Sequence, residues 1–410
     1  MSELFLYDDA IARTFEPFAL TRPTAELRAG ALLLRERWQR ALGLRASGIV
    51  SSPHLVDFDE PWSVAVVSET GTDGQQRVIP AGAVLANSRC AVALSASAAG
   101  DVWRCRGRVA AVLLSRAVDV AELKNGDLTL DSLARAGGRE IEVQGRWMDH
   151  VWDFIPSLSA MLSEDIAALV AASNLASTPE GIVAGQHAAY AEEHATIEPQ
   201  VYFDTTNGPV LVRRGATVQA FTRIVGPCVI GRDSVVGGDK ISGSSIGDVC
   251  RVHGEMSAAI LLGHCNKAHD GFVGHSYLGR WSNLGAGTIT SNLKNTYGTV
   301  HFWTPTGEQD SKLQFLGTFL GDHAKTGIGT SLTTGTVVGA GANVYGGGTP
   351  PKAIPPFAWG EHPPYSTYRM DKFIEVARHV MSRRHVELSE RQIRALTAAY
   401  ERRWSVDAKR

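Results

Sequence analysis

The chain has 410 residues, with 40 Lys and Arg against 42 Asp and Glu and a formal net charge of −2. That length suggests two or three domains at roughly 150 residues each, and so even a balance gives no electrostatic reason to expect nucleic acid or an anionic membrane as partner. Small anions stay open as ligands, because a few local arginines suffice for them.

The opening MSELFLYDDA has no basic region followed by an apolar run, so no secretory signal is expected. No stretch reaches the ~18 uninterrupted apolar residues of a membrane span. Five cysteines, Cys90, Cys105, Cys228, Cys250 and Cys265, are widely spaced with no CxxC among them. They read as buried thiols of a reduced, cytoplasmic protein.

Residues 1–153 mix short apolar runs with one amphipathic helix. Candidate strands are Leu4–Tyr7, Val64–Val67 and Val109–Leu114. The helix is expected in TAELRAGALLLRERWQRAL, where Leu27, Ala31, Leu34 and Trp38 recur at helical spacing. Strands alternating with helix predict an α/β layer domain. Residues 154–194 are alanine-rich and predict a helical connector.

From 195 to 364 the texture changes. Val212, Val218, Ile224, Ile230 and Val236 fall every six residues, and glycine follows Ile230 and Val236. The pattern drifts, returns at Leu278-Gly279 and Leu284-Gly285, and resumes at Leu320-Gly321, Thr326, Leu332, Val338-Gly339 and Val344. An aliphatic residue followed by a small one at a period of six predicts a parallel β-helix. Each hexad supplies a short strand and a turn, and three hexads make one triangular coil. Glycine at this density would cost a helix about 1 kcal/mol per position. The stretch TYGTVHFWTPTGEQDSKLQ, 296–314, breaks the period and is expected to leave the β-helix as a loop that grips ligand. In 365–410, Met370, Ile374, Ala377 and Met381 form a helical stripe, and Ser389 with Gln392 reads as a capping box. These closing helices are expected to cover the open edge at the β-helix end.

The polar residues lie inside the repeat. Glu255, His269 and Asn283 are spaced by 14 and 14, short of the eighteen of a full coil, so they are not expected to stack as a column. His264, Cys265, His269, Asp270 and His275 match no standard zinc spacing.

The run GEMSAAILLGHCNKAHDGFVGHSYLGRWSNLGAGTITSNLKN resembles the acetyltransferase half of the GlmU-type bifunctional family, glucosamine-1-phosphate N-acetyltransferase joined to N-acetylglucosamine-1-phosphate uridyltransferase. NLGAGTITSN at 283–292 is close to that family's NIGAGTITCN, and Glu255-Met256 matches its EM pair. ALTRPTAELRAGALLLRERW and LGDHAKTGIGTSLTTGTVVGAGANVYGG resemble a divergent bacterial branch of it. The resemblance implies an α/β nucleotidyltransferase-like (Rossmann-like) domain, a left-handed hexapeptide β-helix and a C-terminal helical segment. It implies a cytoplasmic homotrimer that uses acetyl-CoA, an amino-sugar phosphate, UTP and Mg2+ to make UDP-N-acetylglucosamine.

Carried over, His269 matches the family's base, which removes a proton as the sugar nitrogen attacks the thioester, work suited to an imidazole. Glu255 matches a residue beside that base. Asn283 and Asn292 match sugar or donor contacts, Ala286 and Gly287 are expected to bind acetyl-CoA, and the Ala286 amide is set to bind the thioester oxygen. The family's lysine two residues after the glutamate is here Ser257, its phenol three residues after the base is Phe272, and its phosphate-binding arginine falls near Asp239. Phosphate recognition would then fall to Lys240, Lys267, Arg280 or Lys294.

In the first domain the strand LFLY is followed by DDAIARTFEPF, with no glycine before Gly30. Arg13 and Arg22 are expected near nucleotide phosphates and Asn87 to contact the nucleotide; LANSR at 85–89 sits where the family's metal-binding aspartate is usual, and Asp153 is a candidate metal ligand. A convincing carboxylate pair for magnesium is missing. Two other readings remain open: an acyltransferase for another, nucleotide-linked amino sugar with a degenerate first domain, and a non-catalytic binding or assembly protein.

Overall fold

The computed structural model describes residues 3–405 except 72, 174 and 176–180. Two compact units emerge, Met1–Asp153 with Ser389–Glu401, and Phe154–Leu388 with Arg402–Arg410.

The first unit is built on a six-stranded sheet of β1 (Leu4–Tyr7), β2 (Ala46–Val50), β3 (Val84–Asn87), β4 (Val102–Cys105), β5 (Arg108–Leu113) and β6 (Glu140–Glu142), in the order β6-β4-β5-β3-β1-β2. LFLY is buried on both faces, as a central strand requires. It pairs in parallel with β2 and β3, while β5 runs antiparallel between β3 and β4. The expected strand at Val64–Val67 forms no ladder of its own; Val66 makes a single parallel bridge to Ile49.

The amphipathic helix is shorter than its stripe. Helix α1 covers only Leu34–Leu42. Gly30, at φ 62, turns a two-residue hairpin between Arg28–Ala29 and Leu32–Leu33. Leu27 and Ala31 are buried all the same, so burial mimicked a helical period that the backbone does not follow.

In the second unit, helix α2 (Leu158–Ser173) is the only helical part of the expected 154–194 connector among the described residues; 174 and 176–180 lie outside them. The β-helix begins at Ile182, ahead of the predicted boundary. Ile182–Ala184 pairs with Tyr202–Asp204 and Ala189–Ala191 with Val210–Val212, so stacking on the next coil overrides the helix preference of alanine.

The β-helix has three faces. Face one runs from Ile182–Ala184 to Val273–Gly274, face two from Ala189–Ala191 to Ala353–Ile354, and face three from Thr196–Ile197 through Ala358–Gly360. Val212, Val218, Ile224, Ile230 and Val236 all point into one core, as do Leu320, Leu332, Val338 and Val344. The glycine after the aliphatic residue serves close approach more than turning. A Cβ on Gly231 would lie 2.4 Å from the Gly247 carbonyl carbon, and one on Gly285 would lie 2.5 Å from Gly327. Left-handed backbone falls elsewhere on the coil, at Val249, His264, Trp281 and His323.

The 296–314 excursion folds as an antiparallel hairpin, His301–Thr304 with Gly307–Asp310. Phe302 is buried against Phe319, and Trp303 stacks on Trp404.

The closing helices differ from expectation. Helix α3 (Met370–Ser382) lies along the side of the β-helix, at the corner between faces two and three: Phe373 packs on Phe357 and His323, with ring centroids 5.0 and 5.7 Å away. The edge of face three is instead met by an antiparallel strand, Ser366–Thr367. Helix α4 (Glu390–Glu401) belongs to the first unit, where Ser389 and Arg394 bond Asp59 and Asp57. The Ser389–Gln392 capping box is formed, with reciprocal bonds of 2.8 and 3.1 Å.

Candidate functional site

On the second unit, the corner from face three to face one carries a cavity of about 570 Å3, lined by His253, His269, Asp270, Ala286, Gly287 and Ile328. These residues come from successive coils. The corner loop after Asn266–Lys267 spans 268–272 before Val273–Gly274 begins, and it carries His269 at its exposed crest. Glu255 occupies the same corner one coil earlier, after Arg251–His253. The 14-residue spacing therefore does place Glu255 and His269 on one corner, because the coils shorten here. Asn283 lies on the adjoining face three, where Asn266 Nδ2 donates to its Oδ1 at 2.7 Å.

The loop is fixed from above and below. Gly287 N–H donates to Asp270 O at 2.9 Å. Lys267 Nζ donates to His253 O at 2.6 Å and to His269 O. Gly287 therefore has no amide left for a ligand, whereas the Ala286 N–H makes no bond among the described residues. An exposed imidazole beside an unbonded amide can take a proton and hold a developing oxyanion.

The four cations expected to hold phosphate are otherwise engaged or placed. Lys240 pairs with Glu255 at 2.8 Å, which also makes Glu255 the companion of a lysine and not of His269. Lys267 is 2% exposed inside the β-helix, where burial pushes its ammonium down to about 8 against the opposing pull of Asp270 and Asp239. Lys294 donates to Thr299 O at 2.6 Å and closes the base of the excursion. Arg280 lies at the corner between faces two and three, beside Asp322. Asn292 is at the third corner, 2.8 Å from Nδ1 of His275, whose imidazole burial holds below its usual range. The sequence run that looked like one site is thus distributed over three corners. It also keeps His264, His269 and His275 on separate corners, away from any shared metal.

In the first unit the polar groups gather at the carboxyl ends of β1, β2 and β3, where ligands bind in open α/β sheets. Asp8 and Asp9 follow β1, Ser51 follows β2, and Asn87, Ser88 and Arg89 close β3. Arg89 donates to both oxygens of Asp9 at 2.7 Å and to Asp149 at 2.7 Å. Asn87 donates to Asp9 at 2.8 Å. Burial pushes Asp9 up, but Arg89 outweighs it and holds the carboxyl below its ordinary range. Asp8 is fully buried; burial raises it despite bonds from Ser51 at 2.6 Å and from the Thr24 amide at 2.9 Å. A smaller cavity of about 160 Å3 lies by the end of β2, lined by Val50, Ser51, Val67, Val120 and Lys124.

The expected nucleotide contacts are committed within the protein. Arg13 donates to the carbonyls of Asp8, Leu123 and Lys124. Arg22, 1% exposed, forms a two-pronged pair with Glu60 at 2.7 and 3.2 Å. Asp153 accepts the amides of Asp149 and His150, both at 2.8 Å, and so caps a turn. Magnesium needs several converging oxygen donors. Here Asp153 is a cap, Asp9 is neutralised by Arg89, and no group of three or more His, Cys, Asp or Glu converges among the described residues. The residues present do not fit a magnesium site. Sequence reasoning missed Asp8, Asp9, Arg89 and Asp149; the DD pair directly after the first strand was the available signal.

The sugar nucleotidyl transferase family model matches residues 4–174. The "Bifunctional protein GlmU" of Bartonella quintana is 29% identical over 173 residues, 40% of this chain and 33% of that protein. That of Jannaschia sp. is 27% identical over 245 residues, 58% of this chain and 47% of that protein. The chain is similar to GlmU-type bifunctional proteins at modest identity. It spans less than half the length of these relatives. Among solved structures, a hexapeptide transferase family protein from Anaplasma phagocytophilum is 14% identical, with 54% of this chain and 91% of that one covered at a TM-score of 0.24. The family model covers the sheet of the first unit and α2, and the hexad stack accounts for the rest up to α3.

Proposed function

We propose that the β-helix acetylates an amino sugar from acetyl-CoA, with glucosamine 1-phosphate as the first acceptor to test. The observation that carries this reading is His269 on the wall of the 570 Å3 corner cavity beside the unbonded Ala286 amide. His269 would take the proton from the attacking amine, and Ala286 N–H would receive the thioester oxygen as it gains charge. Coenzyme A leaves as the free thiol, and the product is the N-acetyl sugar. Asn283 would contact the sugar, with Lys240 released from Glu255 to meet a phosphate. A homotrimer would let a neighbouring subunit complete the exposed cavity wall. The reduced thiols, all five free and buried, suit a cytoplasmic enzyme.

For the first unit we propose uridylyl transfer from UTP to the acetylated sugar phosphate at the Asp8, Asp9 and Arg89 cluster, releasing pyrophosphate. Specific observations favour a second reading, a degenerate nucleotidyltransferase domain: Arg13, Arg22 and Asp9 are all tied to protein groups.

One incubation tests both. The protein is given glucosamine 1-phosphate, acetyl-CoA, UTP and Mg2+, and free thiol and pyrophosphate are followed separately. Both products would support the bifunctional reading. Thiol alone would favour the degenerate first domain, and neither would sink the reading for this acceptor.

A further inference from the structure

Lys267 stands where the repeat calls for an aliphatic side chain. On face three the inward column runs Val218, Val236, Val252 and then Lys267, with Leu284 in the next coil. Its stem fills the slot, and its ammonium emerges at the corner to donate to the carbonyls of His253 and His269, one coil apart. Gly254 makes room for it: a Cβ there would lie 2.9 Å from Nζ and 3.1 Å from His269 O. A hydrocarbon side chain would suit the column as well or better, so the apolar core does not explain the lysine. What the ammonium adds is a tie between the backbone under His269 and the coil before it.

We propose that Lys267 is a positioning residue of the His269 site, drawn through the β-helix interior to hold the 268–272 loop so that the imidazole faces the cavity. This rests on the acetyltransferase reading only for what the loop is for. The charged or titratable groups around it are Asp270 and His269 on its own loop, His253 on the preceding coil and Asp239 one coil further. The tie is not a pH switch. A neutral amine keeps two N–H donors for its two carbonyl acceptors, so both bonds outlast the loss of the proton near pH 8.

The test compares wild type with Lys267→Met, which restores an aliphatic slot. Its first readout is hydrogen exchange at the Gly287 amide, whose acceptor is Asp270 O in the same loop. The second is kcat and KM for acetyl transfer. The expected result is exchange about tenfold faster at Gly287 with no loss of Tm, and kcat lower by about 10- to 100-fold at little-changed KM for acetyl-CoA, as small misplacement of a reacting group produces. Unchanged exchange and kcat would overturn the proposal. Faster exchange in a protein whose wild type shows no acetyl transfer would support the tie and reject the acetyltransferase reading. Should Lys267→Met fail to fold, Lys267→Gln keeps a polar end in the slot but is one atom too short to reach both carbonyls. It is expected to speed Gly287 exchange, and normal exchange there would also overturn the proposal.

Discussion

The two units handle charged side chains in opposite ways. In the first, polar groups at the strand ends satisfy one another: Arg89 holds Asp9 and Asp149, Arg22 holds Glu60, and Arg35 holds Glu26. In the β-helix the repeat supplies the backbone bonds coil by coil, so the side chains at its corners carry little structural duty. His269 and the Ala286 amide are left toward solvent, whereas Lys267 and Lys294 hold backbone carbonyls.

Several measurements would break or sharpen that contrast. The largest effect is expected in the first unit. Arg89→Ala leaves Asp9 without its ion pair and should cost about 3–5 kcal/mol in denaturant unfolding, as loss of one member of a buried pair does. A cost under about 1 kcal/mol would mean that the cluster is held open for ligand and is not structural. Arg22→Ala should destabilise in the same range, and pyrophosphate release that survives it would count against any phosphate role for Arg22.

On the β-helix the expectation reverses. His269→Ala should leave Tm unchanged and lower the rate of thiol release from acetyl-CoA by ~100-fold or more. Wild-type turnover in that variant would point to a binding protein or to another base. Ile328, 77% exposed on the cavity wall, offers a smaller effect. Ile328→Ala should raise KM for acetyl-CoA by up to about tenfold through lost apolar contact, again without a stability cost.

The smallest effect is a pH slope. Burial pushes the Lys267 and Lys325 ammonium groups down to about 8 in the folded chain, below the unfolded value of about 10.4. Between those values the unfolded state binds more protons, so these groups make stability rise with pH across that window. Lys267→Met removes one such group. Its advantage in Tm over wild type should be a few degrees at pH 7 and should shrink as pH rises from 8 towards 10.5. An advantage independent of pH would show that the ammonium is not titrating there.

Much of the fold was legible because the hexad is a local rule. Val212, Val218, Ile224, Ile230 and Val236 face the core because six residues make one strand and one turn, whatever lies beyond. The same local reading placed Leu4–Tyr7 and the Ser389–Gln392 cap. It failed where burial imitates a period, as at Leu27 and Ala31, and where stacking overrides alanine, as at Ala189–Ala191. For the candidate site, the family resemblance pointed to His269, Asn283 and Ala286. It could not assign Lys267, Lys294, Arg22 or Asp153, since a cation or carboxylate that binds a ligand and one that binds a carbonyl or an amide look alike in sequence.

The sequence by itself determined the repeat, the division of texture near the middle of the chain and the family resemblance, all of which depend on residues close together in the chain. Only the tertiary structure decided which polar residues meet. Corner loops of unequal length set the coil register, and with it put Glu255 and His269 on one corner, Asn292 and Arg280 on others, and Lys267 inside. Burial and hydrogen bonding to distant backbone then determined which charges remained free to act.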